Sequence, residues 1–425
     1  MMFEKYDAYK DSELPSFGSV PIHWEIVPLC SITTLKSITN VVNEELLSVY
    51  LDKGVIRFDD VTEKRTNVTS LDLSKYQLVE EGDFVLNNQQ AWRGSVGVSI
   101  YRGIVSPAYL VLKLSPKVDA KFANYFFRNS AMVSQYLINS KGVGTIQRNL
   151  YWQHLKRSDV VLPPREEQIE IAEFLNQKTA EIDQAIAIKE QQIALLNERK
   201  QIVIQQAVTQ GLDPNIPMKD SGVEWIGQIP EHWNVIRAKY LFKEVEERSV
   251  LGNEELLSVS HLTGVTPRSE KNVSMFMAED YSGSKVCKRH DLVMNIMWAW
   301  MGALGVSDYD GIVSPAYGVY RQKIANTFNS EYLEYLLKTT KYIEHYNRVS
   351  TGLHSSRLRF YGHMFFNMKL GFPCLDEQSE IIVRIKNQTS KIELAVENLA
   401  NQIEKLKEYK TTLINDAVTG KIKVA

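Results

Sequence analysis

Residues 165–211 read REEQIEIAEFLNQKTAEIDQAIAIKEQQIALLNERKQIVIQQAVTQG, and the chain is organised around them. The stretch has no proline, its single glycine is its last residue, and Leu175, Ile182, Ile186, Ile193, Leu196, Val203 and Ala207 fall three, four or seven apart. That spacing lays one apolar stripe down a long α-helix. At about 1.5 Å per residue such a helix runs roughly 60–70 Å, too long to lie across one compact domain. It reads as a strut.

The strut recurs. From Leu175 to Ile385 is 210 positions, and the same step carries the stripe to Ile392, Val396, Ile403, Leu406, Leu413 and Ala417. Pro163 with Glu167, Gln168 and Glu170 is matched by Pro373 with Glu377, Gln378 and Glu380, and the exit Ala207-Val-Thr-Gln-Gly by Ala417-Val-Thr-Gly-Lys. The stretches before the struts repeat too. Gly18, Pro21, His23 and Trp24 return as Gly227, Pro230, His232 and Trp233, which we read as a turn into a first strand with the Trp as buried anchor. Asn43-Glu-Glu-Leu-Leu-Ser-Val returns at Asn253 and reads as a strand. The run from Asp83 aligns with that from Asp291, and both end in GIVSPAY, at 103–109 and 311–317. The pairs Gly94/Gly97 and Gly302/Gly305 suggest a hairpin or a close backbone approach. Phe122 to Leu137 and Tyr332 to Tyr346 read as helical. An internal repeat of this size implies pseudo-twofold symmetry, with the struts antiparallel and burying each other's stripe.

A chain of 425 residues with 44% hydrophobic content supports two or three domains with real cores. No run of about 18 apolar residues is present and the N-terminus is charged, so we expect a cytoplasmic protein without membrane contact. Cys30, Cys287 and Cys374 lie far apart and are expected to be reduced core residues. The formal net charge of −2 means that any nucleic-acid surface must be local or be completed by a partner. No Asn/Asp-Pro-Pro-aromatic methyltransferase motif, phosphate loop or His-rich metal pattern is found, so no catalytic, cofactor-binding or metal residue is assigned.

Two heads on one frame suit a bipartite DNA site, since common framework residues repeat while the reading loops differ. The chain here resembles the specificity subunits of type I restriction-modification systems, over essentially its whole length. The resemblance is carried by the junction AVTQGLDPNIPMKDSGVEWIGQIPEHW at 207–233, by the Pro-x-x-Asp/Glu-Glu-Gln helix entries and by the two GIVSPAY blocks. It implies an α+β fold: two pseudo-twofold-related mixed α/β target-recognition domains separated by two long antiparallel coiled-coil helices. The first domain would be 1–162, the central spacer helix 163–211, the second domain 212–372 with a linker at 212–220, and the C-terminal spacer helix 373–425. It further implies a non-catalytic subunit that binds double-stranded DNA, bridges two copies of a methyltransferase subunit and recruits restriction subunits. The methyl donor S-adenosylmethionine is then the methyltransferase partner's, and this chain takes no cofactor. A single-chain DNA-modifying enzyme and a structural coiled-coil interaction protein are the alternatives.

Major-groove readout uses Arg or Lys for guanine and Asn or Gln for adenine. In the first head Asn88, Gln89, Gln90 and Arg93 cluster on the expected hairpin, and Lys141, Thr145, Gln147, Arg148 and Asn149 follow the helix. The second head offers Trp298, Trp300, Thr351, His354, Ser355, Ser356, Arg357 and Arg359 at the corresponding places. Each alone is equally a solvated loop residue or a phosphate contact. As clusters they sit where the two copies differ most. The outer faces of the struts are read as carrying Glu190, Glu198, Arg199 and Lys200 and then Glu404, Lys405, Lys407 and Glu408, which suit a solvated coiled coil, and the resemblance adds a docking face for the methyltransferase.

Overall fold

Nothing in Arg165–Gln210 interrupts helical hydrogen bonding, and in the computed structural model it forms one α-helix of 46 residues; Leu375–Val418 forms another of 44. The structure describes residues 3–51, 53–60, 72–143, 147–270, 280–352 and 358–424. The chain divides into two compact units, Met1–Glu190 with Ala400–Ala425, and Gln191–Leu399, so each unit holds part of both long helices. All members of both apolar stripes are buried or half-buried. In the first unit Ile171, Leu175 and Ile182 share a core with Leu413, Ala417 and Val418, and the pairs Asp183–Lys410 (2.7 Å) and Lys189–Gln402 (2.6 Å) run in opposite senses, so the helices are antiparallel there. In the second unit Ile204, Ala207 and Val208 meet Ile381, Ile382 and Ile385, again antiparallel, with Lys200 bonded to Glu393 at 2.5 Å. Lys200 thus lies on the rim of the helix pair, and the outer face expected for it is corrected. No helix among the described residues is long and apolar enough to cross a membrane.

The first unit is built on an antiparallel sheet ordered Thr33–Lys36, Tyr109–Leu114, Phe84–Asn87, Val96–Val98. Side chains alternate across a strand. Phe84, Leu86 and Leu112 therefore face the helices Ala120–Phe127 and Ser130–Ile138, while Val85 and Val111 face the hairpin Leu47–Tyr50/Gly54–Arg57 and the pair Gln77–Val79/Gly103–Val105. Burial on both faces explains why the strands read as unbroken apolar runs. The second unit repeats this with Phe242–Glu244, Gly318–Gln322, Leu292–Met294 and Leu304–Val306. There Leu292, Met294 and Tyr320 face one core, and Val293 and Val319 the other.

The glycine pairs serve both of the roles expected of them. Gly94 and Gly302 adopt positive φ, 101° and 82°. A Cβ on Gly97 would stand 3.0 Å from the Gly54 Cα, and one on Gly305 2.9 Å from the Gly264 Cα, because the hairpin crosses the sheet backbone to backbone. Gly103 and Gly311, which open the identical blocks, leave no room for a side chain: a Cβ would meet the Glu45 and Glu255 carbonyl oxygens at 2.4 and 2.3 Å.

Two further expectations are corrected. Each single helical stretch is two helices, Ala120–Phe127 with Ser130–Ile138, and Ser330–Leu337 with Thr340–Val349, because Asn129 and Thr339 start new helices. Asn129 does so by accepting the Met132 N–H. All three cysteines are free, yet Cys30 and Cys374 are exposed beside helix starts, and only Cys287 is buried, where burial pushes its thiol up to about 12.

Each globular part is bolted to the start of a long helix. Trp24 is buried and its indole N–H donates to Glu167 (3.0 Å), which also meets His23 (2.8 Å) and accepts from the Tyr6 hydroxyl. Trp233 and His232 hold Glu377 in the same way, at 3.0 and 2.7 Å. The neighbouring Gln168 is fully buried: it accepts from the Asp119 N–H (2.8 Å) and donates to the Pro163 and Lys117 carbonyls (2.9 and 3.1 Å). Gln378 does the same for Asn329, Pro373 and Thr327. Gln168→Ala removes the partner of three backbone groups, of which the Pro163 carbonyl is buried, so we expect a loss of roughly 1–3 kcal/mol in urea unfolding of the first unit. A loss under about 0.5 kcal/mol would show that the amide is not a bolt.

Candidate nucleic-acid interface

In the first unit the strand Phe84–Asn87 leaves the sheet into a 3-10 turn, Ala91–Arg93, that Gly94 closes. Asn87 shapes the exit: its side chain accepts from the Gln89 N–H (3.1 Å) and donates to the Tyr109 hydroxyl (3.4 Å). Tyr109, the last letter of the repeated block, is thus part of the frame. Trp92 is half-buried and donates its indole N–H to the Gln89 carbonyl (3.0 Å), which fixes the ring within its own turn.

The donor-rich stretch after the helices is a hairpin, Ser140–Val143 with Gln147–Leu150, and the Leu150 N–H donates to the Asn88 carbonyl at 2.9 Å. The two candidate groups of the first head are thereby brought together. The Arg93 guanidinium lies 4.6 Å from the Trp92 ring centre and that of Arg148 5.9 Å. Neither has a carboxylate partner among the described residues. Lys141 and Asn149 stand opposite each other in the hairpin, both exposed, and Gln89 is exposed beside them. Gln90 is half-buried, and the Asn88 side-chain oxygen is buried with no hydrogen-bond donor among the described residues. Gln147 lies in the second hairpin strand, and Thr145 lies outside the described residues.

The second unit has the same scaffold. Asn295 accepts from the Met297 N–H (3.2 Å) and donates to the Tyr317 hydroxyl (3.1 Å), Trp300 donates to the Met297 carbonyl (3.0 Å), and the Phe360 N–H donates to the Ile296 carbonyl (2.9 Å). Thr351 and Arg359 form a two-way antiparallel bridge, with bonds of 3.1 and 2.9 Å. The Arg359 guanidinium folds back onto the Leu358 carbonyl (2.9 Å). Trp298 is 45% exposed and stacked on Trp300, with ring centres 5.9 Å apart, and Met301 beside them is 42% exposed. His354, Ser355, Ser356 and Arg357 lie outside the described residues.

Sequence reasoning missed the hairpin, the seating of both arginines on Trp92, and Met301. Alignment of the two copies held a signal for the last, since Met301 stands where Arg93 does.

A family model, the type I restriction modification DNA specificity domain, matches residues 21–198. The chain is 26% identical over 433 residues to the type I restriction enzyme MjaVIII specificity subunit of Methanocaldococcus jannaschii, covering 95% of this chain and 94% of that protein. It is 23% identical over 463 residues to the putative type I restriction enzyme MjaX specificity subunit of the same organism, covering 100% and 99%. Over nearly its whole length the chain is thus similar to type I restriction enzyme specificity subunits. Type I specificity subunits are DNA-recognition proteins and in general non-catalytic. Their fold is met again in two solved structures. One is a chain from work on complex assembly and conformational transition of the type I R-M system, with TM-score 0.63, 14% identity, and coverage of 94% of this chain and 98% of that one. The other is the HsdS subunit from Thermoanaerobacter tengcongensis, with TM-score 0.53, 14% identity, and coverage of 95% and 98%.

The two bonds of Asn87 make the turn rigid. In Asn87→Ala the Gln89 amide loses its acceptor, and its hydrogen exchange should accelerate on the order of tenfold while the Met297 amide is unchanged. Equal exchange at Gln89 in variant and parent would remove Asn87 from the frame.

Proposed function

We propose that this chain is a type I specificity subunit that reads a two-part double-stranded DNA target, one half-site with each unit, through the 3-10 turn and the adjacent hairpin or loop. One observation carries the reading: the same set of hydrogen bonds, Asn87 to Tyr109 and Leu150 to Asn88 in one unit and Asn295 to Tyr317 and Phe360 to Ile296 in the other, holds quite different side chains. A frame repeated for stability alone has no reason to present such different side chains on the same hydrogen bonds. Chemistry is left to partners. Two methyltransferase subunits, each binding its own S-adenosylmethionine, dock along the long helices and modify adenine, and restriction subunits join them. Leu195 and Ile202, seven apart and about half exposed, give the first long helix an apolar strip suited to such docking. The chain itself holds no cofactor or metal, and works in the cytoplasm.

The test is selection from a pool of random 30-base-pair duplexes by the full chain co-expressed with its host's methyltransferase subunit. We expect one split motif, bound at least roughly a thousandfold more tightly than scrambled DNA and with a steep salt dependence. Enrichment of no motif, or methyl transfer by this chain alone, would contradict the reading.

A further inference from the structure

The two turns reverse each other's chemistry. Asn88-Gln-Gln-Ala-Trp-Arg93 aligns with Ile296-Met-Trp-Ala-Trp-Met301, and Arg148, two residues before the docked Leu150, aligns with Leu358, two before Phe360. Within the turn every residue that differs changes from polar or cationic to apolar, as does Arg148, while Ala91/Ala299 and Trp92/Trp300 stay and the neighbouring Asn149 is replaced by Arg359. Folding does not explain the whole change: Ile296, Met297 and Leu358 are half-buried, but Trp298 and Met301 are 45% and 42% exposed. An exposed Trp and Met on a rigid turn are expensive in water and point to a ligand surface. Nor are the arginines of the first turn used by the fold, since their guanidinium groups have no carboxylate partner among the described residues and rest on one ring.

Resting on the reading that each unit takes one half-site, we infer that the turn sets the base chemistry of its half-site. In the first unit Arg93 and Arg148 donate to O6 and N7 of guanine at the major-groove edge, the acceptor pair that matches a guanidinium fork. Trp92 holds both groups in a restricted set of orientations, so less freedom is lost on binding. In the second unit Trp298 and Met301 cover the C5 methyl of thymine, the one apolar group that the major groove displays. The first half-site thus contains a guanine read by donors, and the second a thymine read by contact.

Single-atom changes in the DNA test this, using the full chain with its methyltransferase subunit and the duplex that the parent complex selects. Replacing the guanine by 7-deazaguanine removes N7 alone, and replacing the thymine by deoxyuracil removes the methyl alone. We expect 7-deazaguanine in one half-site to weaken parent binding about tenfold, and Arg93→Ala or Arg148→Ala, which remove the guanidinium donors, to be insensitive to it. Deoxyuracil in the other half-site should weaken the parent several-fold and leave Trp298→Ala with Met301→Ala unaffected. Base sensitivities that persist in the variants overturn the inference. So does a uniform loss on specific and scrambled duplexes with a shallower salt slope in Arg93→Ala, the mark of a phosphate contact. Should the parent select no split duplex at all, the half-site reading falls first and this inference with it.

Discussion

The carboxylate of Glu167 receives the Trp24 indole N–H, and beside it the buried amide of Gln168 joins the Asp119 N–H to the Pro163 and Lys117 carbonyls; Glu377 and Gln378 repeat both arrangements. These adjacent side chains lock the rotation of a long helix against its globular part. Successive helical residues turn by about 100°, so a slip of one position would swing the apolar stripe out of the helix pair and the globule off its seat. A carboxylate in the first turn also meets the positive end of the helix dipole. Gln168 matters for the interface as well as for the strut. The residue whose N–H it fixes, Asp119, caps Ala120–Phe127, and the Phe127 ring stacks at 4.1 Å on Phe84, in the strand that leads to the reading turn.

The frame was legible in the sequence because it is made of residues with one physical use each. The stripes, the His-Trp pair, the Glu-Gln entries and the positive-φ glycines recur at fixed offsets, and each is found doing what its chemistry allows. The candidate interface was legible only as position. The strands Ser140–Val143 and Gln147–Leu150 show no apolar alternation in sequence, and the seating of Arg148 on Trp92 joins residues far apart in sequence that no local pattern connects. The break at Asn129 and Thr339 was hidden because apolar spacing continues across it while the caps depend on backbone geometry. Cys30 and Cys374 were misjudged because residue type alone favours burial, whereas both sit at exposed helix starts.

On the proposed reading, recognition and stability are divided between different side chains of one scaffold. Asn87, Tyr109 and Gly94 hold the turn, as Asn295, Tyr317 and Gly302 do in the second unit. The residues between them are then free to change as a set, and the full inversion from Asn-Gln-Gln and Arg to Ile-Met-Trp and Met shows how far they have done so. A near-neutral chain is compatible with this, because base contacts need few charges.

The most direct test of a chain with two independent readers is a genome-wide map of methylated adenines in the source organism, with the gene deleted and then restored with residues 88–93 replaced by IMWAWM, the segment at 296–301. The account predicts that one split motif disappears on deletion and that restoration returns a motif altered in one half only. Methylation unchanged by the deletion, or a replacement that alters both halves together, would contradict it.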